Sequence, residues 1–357
     1  MNSRRQEQFM GWLMASPAIL LLLAFLIIPF FMAFGFSFTN QRLISPNPTE
    51  FVGLRNFNRL LTIRTLSIDP IVDEETGEFV LDEDGNQTYP RLRNFTRNNP
   101  DYPELEGLQE WFRWETGDNA LVFLARDAVF MKALRNTIVF ALVVVPLQGS
   151  LALLLALLVN QKLQGINIFR TIYFMPVVVS MVILSILWRF IYDGNDGLLN
   201  SLISFITFGG FEGRDWLGNP NTSLGSIIGM SVWQGVGFHM VIWLAGLQTI
   251  PFVLYEAASV SGANRWQQFR YVTWPGLRPT FIFVLITITM QAFALFIQPD
   301  IMTRGGPLDS TTTVIHQAVQ RGFGKQDIAY GSAISVFFFI MVLIVALIQR
   351  YLTRDED

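Results

Sequence analysis

Six stretches of this 357-residue chain are long and apolar enough to cross a bilayer as helices, which takes about 20 residues each. They lie near 11–38, 137–159, 168–192, 224–249, 280–298 and 331–349. In hydrocarbon every backbone N–H and C=O must find a partner within the protein, so segments of this kind span as helices. The expected fold class is an all-α polytopic membrane protein of six transmembrane helices with a small extracytoplasmic β-containing insert. Composition agrees: only 15% of residues are charged, against about 25% in soluble domains, and the deficit falls in blocks. The first stretch is too long for the roughly 7–15-residue apolar region of a signal peptide. Pro29 is expected to kink it.

Basic residues set the orientation. Arg4 and Arg5 precede the first span; Lys162, the group Arg265, Arg270 and Arg278, and the pair Arg350 and Arg354 follow on alternate connections. All fall on one side when the six spans alternate. The opposite loop 193–223 carries Asp193, Asp196, Glu212 and Asp215 against Arg214. The chain is therefore expected to be a multi-pass protein with cytoplasmic N- and C-termini and a cytoplasmic 250–279 loop. Three regions follow: 1–40, a tail and first transmembrane helix; 41–130, the insert; and 131–357, a core with five transmembrane helices.

The insert holds sixteen Asp or Glu and nine Arg or Lys, a net charge of −7. Long segments cross largely regardless of charge. Glu75-Thr76-Gly77-Glu78 and Asp84-Gly85-Asn86 are turn signals flanking Phe79-Val80-Leu81, so a β-hairpin or small meander is expected there. Trp111, Phe112, Trp114 and Phe123 are candidates for a modest core or a membrane-surface patch. The alternation of Asp82, Asp84 and Asn86 invites a calcium reading. Gly85 is misplaced for an EF-hand loop and position 93 is Arg where a bidentate Glu belongs, so turn chemistry explains these residues better.

Several chemistries are excluded. There is no cysteine, hence no disulfide, thiolate metal site or Cys nucleophile. His239 and His316 are the two histidines, too few for a His-based metal site. A net charge of −3 gives no reason to expect nucleic acid. No G-x-x-x-x-G-K-[ST] phosphate loop is present, so the chain itself cannot hydrolyse ATP.

The polar loop 250–279 has internal punctuation that membrane connections usually lack. Pro251 can open a helix and Gly262 can close it in the left-handed conformation. Trp266, Phe269 and Val272 then recur at helical spacing, and Pro275 is expected to stop the run. Glu256-Ala257-Ala258, with Gly262 four residues on and Pro275 closing, resembles the EAA loop of binding-protein-dependent ABC importer permeases. Val272 and Trp274 replace the Ile and Leu of that pattern. Other elements resemble the carbohydrate branch of this superfamily: Arg170, Pro176, Trp188, Gly197, Leu198 and Asn200; Trp233, Ala245, Gly246, Leu247 and Gln248; and Thr303-Arg304-Gly305-Gly306-Pro307 followed by Thr311 to Thr313.

The resemblance implies an inner-membrane permease subunit for a sugar, oligosaccharide or polyol, or a glycerol phosphate. Its loop would dock an ABC ATPase dimer through Glu256, Ala257, Ala258, Gly262, Ala263 and Pro275. A second homologous permease and an extracytoplasmic solute-binding protein would complete the assembly, the latter touching the insert. The chain would bind no cofactor; ATP and Mg would sit on the partner ATPases.

Polar residues inside spans are rare and mark candidate solute paths. Thr287, Gln291 and Gln298 fall at i, i+4 and i+11, one helical stripe; Ser231 and Gln234 share a face of the fourth span. Amides and hydroxyls donate and accept, which suits sugar hydroxyls. Trp233 or Trp243 could stack on a sugar's apolar face. The competing reading is that such groups tie helices together across packing seams, and this is the better account of His239. Gln148 stays open between the two, and Arg189 is expected to snorkel at its span's end.

Two readings from other classes compete. An intramembrane enzyme needs a catalytic set, and H-E-x-x-H, G-x-S-x-G and acidic pairs within spans are all absent. A proton-coupled secondary transporter of a polar solute needs a mid-membrane Asp, Glu or His relay, and the six spans contain no central Asp or Glu. The importer reading requires an ATPase and a second permease to travel with the chain; the secondary transporter does not.

Overall fold

A computed structural model describes residues 2–73, 78–82, 85–116, 119–161 and 164–353, with the side chains of 2–6 excepted. The turn residues Glu75, Thr76, Gly77 and Asp84, the basic Lys162 and Arg354, and the side chains of Arg4 and Arg5 lie outside that set. In chain order the main elements are α1 (Glu7–Phe36), α2 (Arg55–Leu61), β1 (Ile63–Ile68), β2 (Gln109–Thr116), β3 (Asn119–Ala125), α3 (Ala128–Val159), α4 (Ile166–Val178), α5 (Met181–Ile191), α6 (Leu198–Ile206), α7 (Ser223–Thr249), α8 (Phe252–Val260), α9 (Arg265–Gln268), α10 (Arg278–Phe293), α11 (Ile297–Met302), α12 (Val314–Val319) and α13 (Ile328–Leu352). Two compact bodies share them: residues 1–130 with 317–340, and residues 131–316 with 341–357.

Among the described residues five helices are long and apolar enough to cross a membrane, and the pair α4 and α5, bent by 100°, makes a sixth where the two are taken as one broken span. The expected third span thus breaks at Val179 and Ser180, where Ser180 adopts an extended backbone (ψ 133°). Pro176 lies inside α4 and the bend follows it. In the fifth span α10 ends at Phe293 and α11 starts at Ile297. In α1 the winding loosens to a π-turn over Leu23–Ile27, with Ile28 N–H bonded to Leu23 O. Pro29 then falls in the first turn of the following α-segment, where its missing N–H costs least. The wider turn takes up the defect expected at that proline.

In the first body, β1, β3 and β2 form an antiparallel sheet in that order. One face of β3 buries Ala120, Val122 and Leu124 against Leu66, Ile68, Leu105 and Leu108. The other carries Phe123, in ring contact with Trp111 and Phe112 at 6.2 and 5.7 Å, while Trp114 remains exposed. The small meander expected around Phe79 is present in irregular form: Val72 with Phe79, and Leu81 with Gln87, form isolated antiparallel bridges, and the Val80 N–H bonds Ile71 O at 2.9 Å while the Thr88 N–H bonds Val80 O at 2.8 Å. Regular pairing goes instead to strands rich in aliphatic and aromatic residues. Asp82 closes its turn by accepting the Asn86 N–H at 2.8 Å.

Asp127 organises the start of α3. One carboxylate oxygen caps the helix by accepting the Phe130 N–H at 3.0 Å. The other accepts the Tyr330 hydroxyl at 2.8 Å and pairs with Arg321 at 3.0 Å. Arg59 lies over the Tyr330 ring, 4.1 Å from its centroid, and 3.5 Å from Asp327. The Asp127 side chain is almost wholly buried, so removing its charge strands a buried guanidinium. Asp127→Ala is expected to cost about 3–5 kcal/mol, read as a lowered thermal unfolding midpoint of the detergent-purified chain. Asp127→Asn keeps the cap and the tyrosine bond and should lose less. An Ala variant melting with the wild type would remove Asp127 from the stabilising contacts.

Candidate functional site

A cavity of about 410 Å³ opens inside the second body. Gln148 of α3, Ser231 and Gln234 of α7, Gln291 of α10 and Gln298 of α11 supply its polar groups. Phe140, Val144, Val177, Met181, Phe238 and Ile288 form its apolar wall. Both interrupted spans face it: Val177 and Met181 flank the break between α4 and α5, and Ala294, Leu295 and Ile297 form or border the one between α10 and α11. Irregular backbone at membrane depth is tolerated where it is buried in protein or lines a cavity. The Leu295 carbonyl released at the second break is taken by the Thr313 hydroxyl at 2.6 Å. Among the described residues, no ionisable side chain lines the cavity. Neutral amides with an apolar wall suit an uncharged, hydroxyl-rich molecule.

Four of the five expected path residues, Ser231, Gln234, Gln291 and Gln298, converge here. Gln298 Nε2 reaches Ser231 Oγ at 3.5 Å. The stripe is not one helix, however: α10 ends before Gln298, which returns on α11. Thr287 departs from the expectation. Its hydroxyl bonds Phe283 O at 2.9 Å and lies 3.4 Å from His239 Nε2, on a packing seam. His239 is fully buried there, its Nδ1 2.9 Å from Gln148 Nε2 and 3.0 Å from Gly235 O. Gln148 therefore serves both seam and cavity, and Gly235 gives it room, since a Cβ would meet its amide. Neither tryptophan lines the cavity: Trp243 is buried with its indole N–H on Gly149 O at 3.2 Å, and Trp233 packs edge-on against Trp188. The apolar wall carried no sequence signal, because an apolar residue in an apolar span reads the same whether it meets a cavity or lipid.

The 250–279 loop is a tightly pinned helix pair. Pro251 stands before α8 in extended geometry. Gly262 has φ +79°, the Gly262 N–H bonds Ser259 O at 3.0 Å, and the Ala263 N–H bonds Ala258 O at 2.9 Å. These are the paired bonds of a Schellman ending. They explain the spacing in the motif: the second alanine gives the carbonyl and the glycine four residues on gives the left-handed turn. Asn264 and Gln267 then form a reciprocal capping box at 2.8 and 2.9 Å. Tyr255 OH to Thr273 Oγ1 at 3.0 Å and Gln268 Nε2 to Ser259 Oγ at 3.0 Å tie the halves together. Pro275 does not stop the run as expected. A π-turn over Phe269–Thr273 widens the helix ahead of it, and winding resumes through Trp274–Gly276. Glu256 is exposed, as are the apolar Val260 at 91% and Trp266 at 69%.

The family model for the binding-protein-dependent transport system inner membrane component matches residues 148–356. The chain belongs to this family. Among its relatives, a probable starch degradation products transport system permease of Thermoanaerobacterium thermosulfurigenes is 29% identical over 97% of this permease and 94% of its own length. The lactose transport system permease of Rhizobium radiobacter is 34% identical over 68% and 82%. A crystal structure of a bacterial ABC transporter involved in import of the acidic polysaccharide alginate has the same fold, with TM-score 0.69 and 19% identity over 98% of this permease and 96% of that chain. A second crystal structure, of the alginate transporter in complex with a pentasaccharide-bound periplasmic protein, superposes with TM-score 0.58 and 24% identity over 63% and 78%.

Beyond the fifth span the permease makes a turn held by threonines. Thr303 and Thr311 hydroxyls meet at 2.6 Å, Thr311 bonds Gly306 O at 3.0 Å and Thr312 bonds Gly305 O at 3.1 Å. Asn136 of α3 donates to Asp309 O at 2.9 Å and Thr312 O at 3.0 Å. Gly305 has φ +82°, and a Cβ there would strike Thr312 and His316. His316 is buried beneath, its Nε2 3.4 Å from Asp300 Oδ1 without hydrogen-bond alignment. Burial pulls its pKa below 6.5, and the Asp300 carboxylate opposes this less strongly. The folded chain thus holds His316 neutral while the unfolded chain protonates first. The stability this lends is full above about pH 6.5 and is lost as pH falls. The unfolding midpoint is expected to drop as pH is lowered below about 6.5, and His316→Gln should flatten that dependence; an unchanged slope in the variant would clear His316 of the effect.

Proposed function

We propose that this permease lines the path of a sugar, oligosaccharide or polyol through an ATP-driven importer and receives its motion through the 250–279 loop. One observation carries the reading: two interrupted spans face a single uncharged, amide-lined cavity. The relatives named for starch degradation products and lactose support a carbohydrate solute. By helix rise, the lining residues of α7 and α10 sit roughly 15–27 Å from the loop that joins these helices. Motion imposed on the loop would therefore reach the cavity through two stiff rods rather than through flexible chain.

In this reading the exposed Glu256, Val260 and Trp266 meet an ABC ATPase dimer. ATP and Mg are held by those subunits, with no cofactor on this chain. Ala257 and Ala258 keep the helix face low, and Gly262, Ala263 and Pro275 hold the geometry of the lever. A second homologous permease closes the path. A solute-binding protein delivers the cargo on the side of the 41–130 insert, and both termini lie in the cytoplasm.

The test is reconstitution into proteoliposomes with the ATPase, the second permease and the binding protein. Glu256→Lys is expected to abolish sugar uptake and its stimulation of ATP hydrolysis while the chain still inserts. Gln298→Leu should raise KM for uptake about five- to tenfold, the worth of one or two neutral hydrogen bonds. Normal coupling in the Glu256 variant would refute the docking role. Unchanged uptake in the Gln298 variant would refute the path.

A further inference from the structure

Four arginines, Arg42, Arg55, Arg59 and Arg126, line one concavity of about 560 Å³ in the first body. The cluster runs against its surroundings, since residues 41–130 carry a net charge of −7. Arg59 is engaged by Asp327 and by the Tyr330 ring. Among the described residues, Arg42, Arg55 and Arg126 have no carboxylate within ion-pair distance, and all three are exposed.

The backbone beneath them is held in place. Asn56 Nδ2 donates to Ser37 O and Thr39 O, both at 2.8 Å. Asn40 N–H bonds Glu50 O at 3.1 Å, Leu43 N–H bonds Gln326 O at 2.9 Å and Ala329 N–H bonds Gln41 O at 2.9 Å. A fixed frame that gathers like charges with one acidic neighbour is unfavourable unless an anion joins them.

The place of the cavity indicates which anion. Asn40 lies four residues beyond the end of α1, and Asp327 directly precedes α13. The arginines therefore stand where two spans leave the bilayer, at headgroup depth. Leu43, Ile44 and Phe51, beside them in the chain, are exposed, as suits contact with the acyl boundary. Guanidinium forks match the several oxygens of a phosphate. We propose that this concavity binds a phosphate group, that of a net-anionic phospholipid headgroup. The concavity shares no lining residue with the amide-lined cavity or the 250–279 loop.

The test uses the full chain in nanodiscs of phosphatidylcholine containing a minority of phosphatidylglycerol, with retained lipid counted by native mass spectrometry. A parallel arm titrates inorganic phosphate into lipid-matched discs lacking phosphatidylglycerol. Enrichment of phosphatidylglycerol is expected, falling about tenfold or more in the triple variant Arg42→Gln, Arg55→Gln, Arg126→Gln, since charge-assisted bonds are lost. The control triple Arg64→Gln, Arg91→Gln, Arg97→Gln removes the same charge outside the concavity and should retain the lipid. Arg59 is left intact, so an unchanged unfolding midpoint certifies the fold. Saturable phosphate binding without lipid enrichment would assign the site to the free ion and overturn the lipid. Equal loss in both triples, or no binding of either probe, would overturn the site. Neither result depends on transport activity.

Discussion

A peptide group that loses its helical partner inside hydrocarbon must find another, and this constraint orders the transmembrane part of the molecule. The chain interrupts two spans, at Val179 and Ser180 and at Ala294 to Phe296. Both interruptions are turned inward onto the same cavity. The Leu295 carbonyl is taken by Thr313, which arrives from the turn beyond the fifth span. The cavity is thus where the helices could be broken without exposing backbone to lipid, and the breaks shape the space. Glycine supports this packing: at Gly237 a Cβ would collide with the Tyr173 carbonyl of α4, so α7 passes the broken span at backbone distance.

Much of this was legible in the chain, for reasons that differ by element. The spans were readable because twenty apolar residues leave no alternative, but their interruptions were not. Nothing in Val178-Val179-Ser180 forbids a helix as proline would, and the 100° bend is a tertiary decision. Ser231, Gln234, Gln291 and Gln298 stood out as amides and hydroxyls in apolar runs. Thr287 stood out equally and went to the seam, because a hydroxyl can satisfy itself on its own helix at Phe283 O while a longer amide reaches outward. In the insert, turn signals at residues 75–86 mark a hairpin or small meander, and an irregular, bridged meander forms there. Turn chemistry says where a chain can reverse, and apolar alternation decides where strands hold. That alternation lay in 63–68 and 109–125.

The 250–279 loop shows local and global requirements agreeing. A Schellman ending, a capping box and two side-chain ties are all satisfied within thirty residues. The loop therefore needs no partner to hold its shape, and apolar Val260 and Trp266 remain at its surface. Proline at 275 lacks an N–H and so carries the sequence signature of a stop. The π-turn before it widens the helix by one residue, and winding continues past the proline.

Among the described residues no ionisable group lines the cavity, and this has an electrical consequence. Were the cargo uncharged, as proposed, its movement past neutral amides would displace no charge through the membrane field. Solute passage of that kind would draw no current of its own.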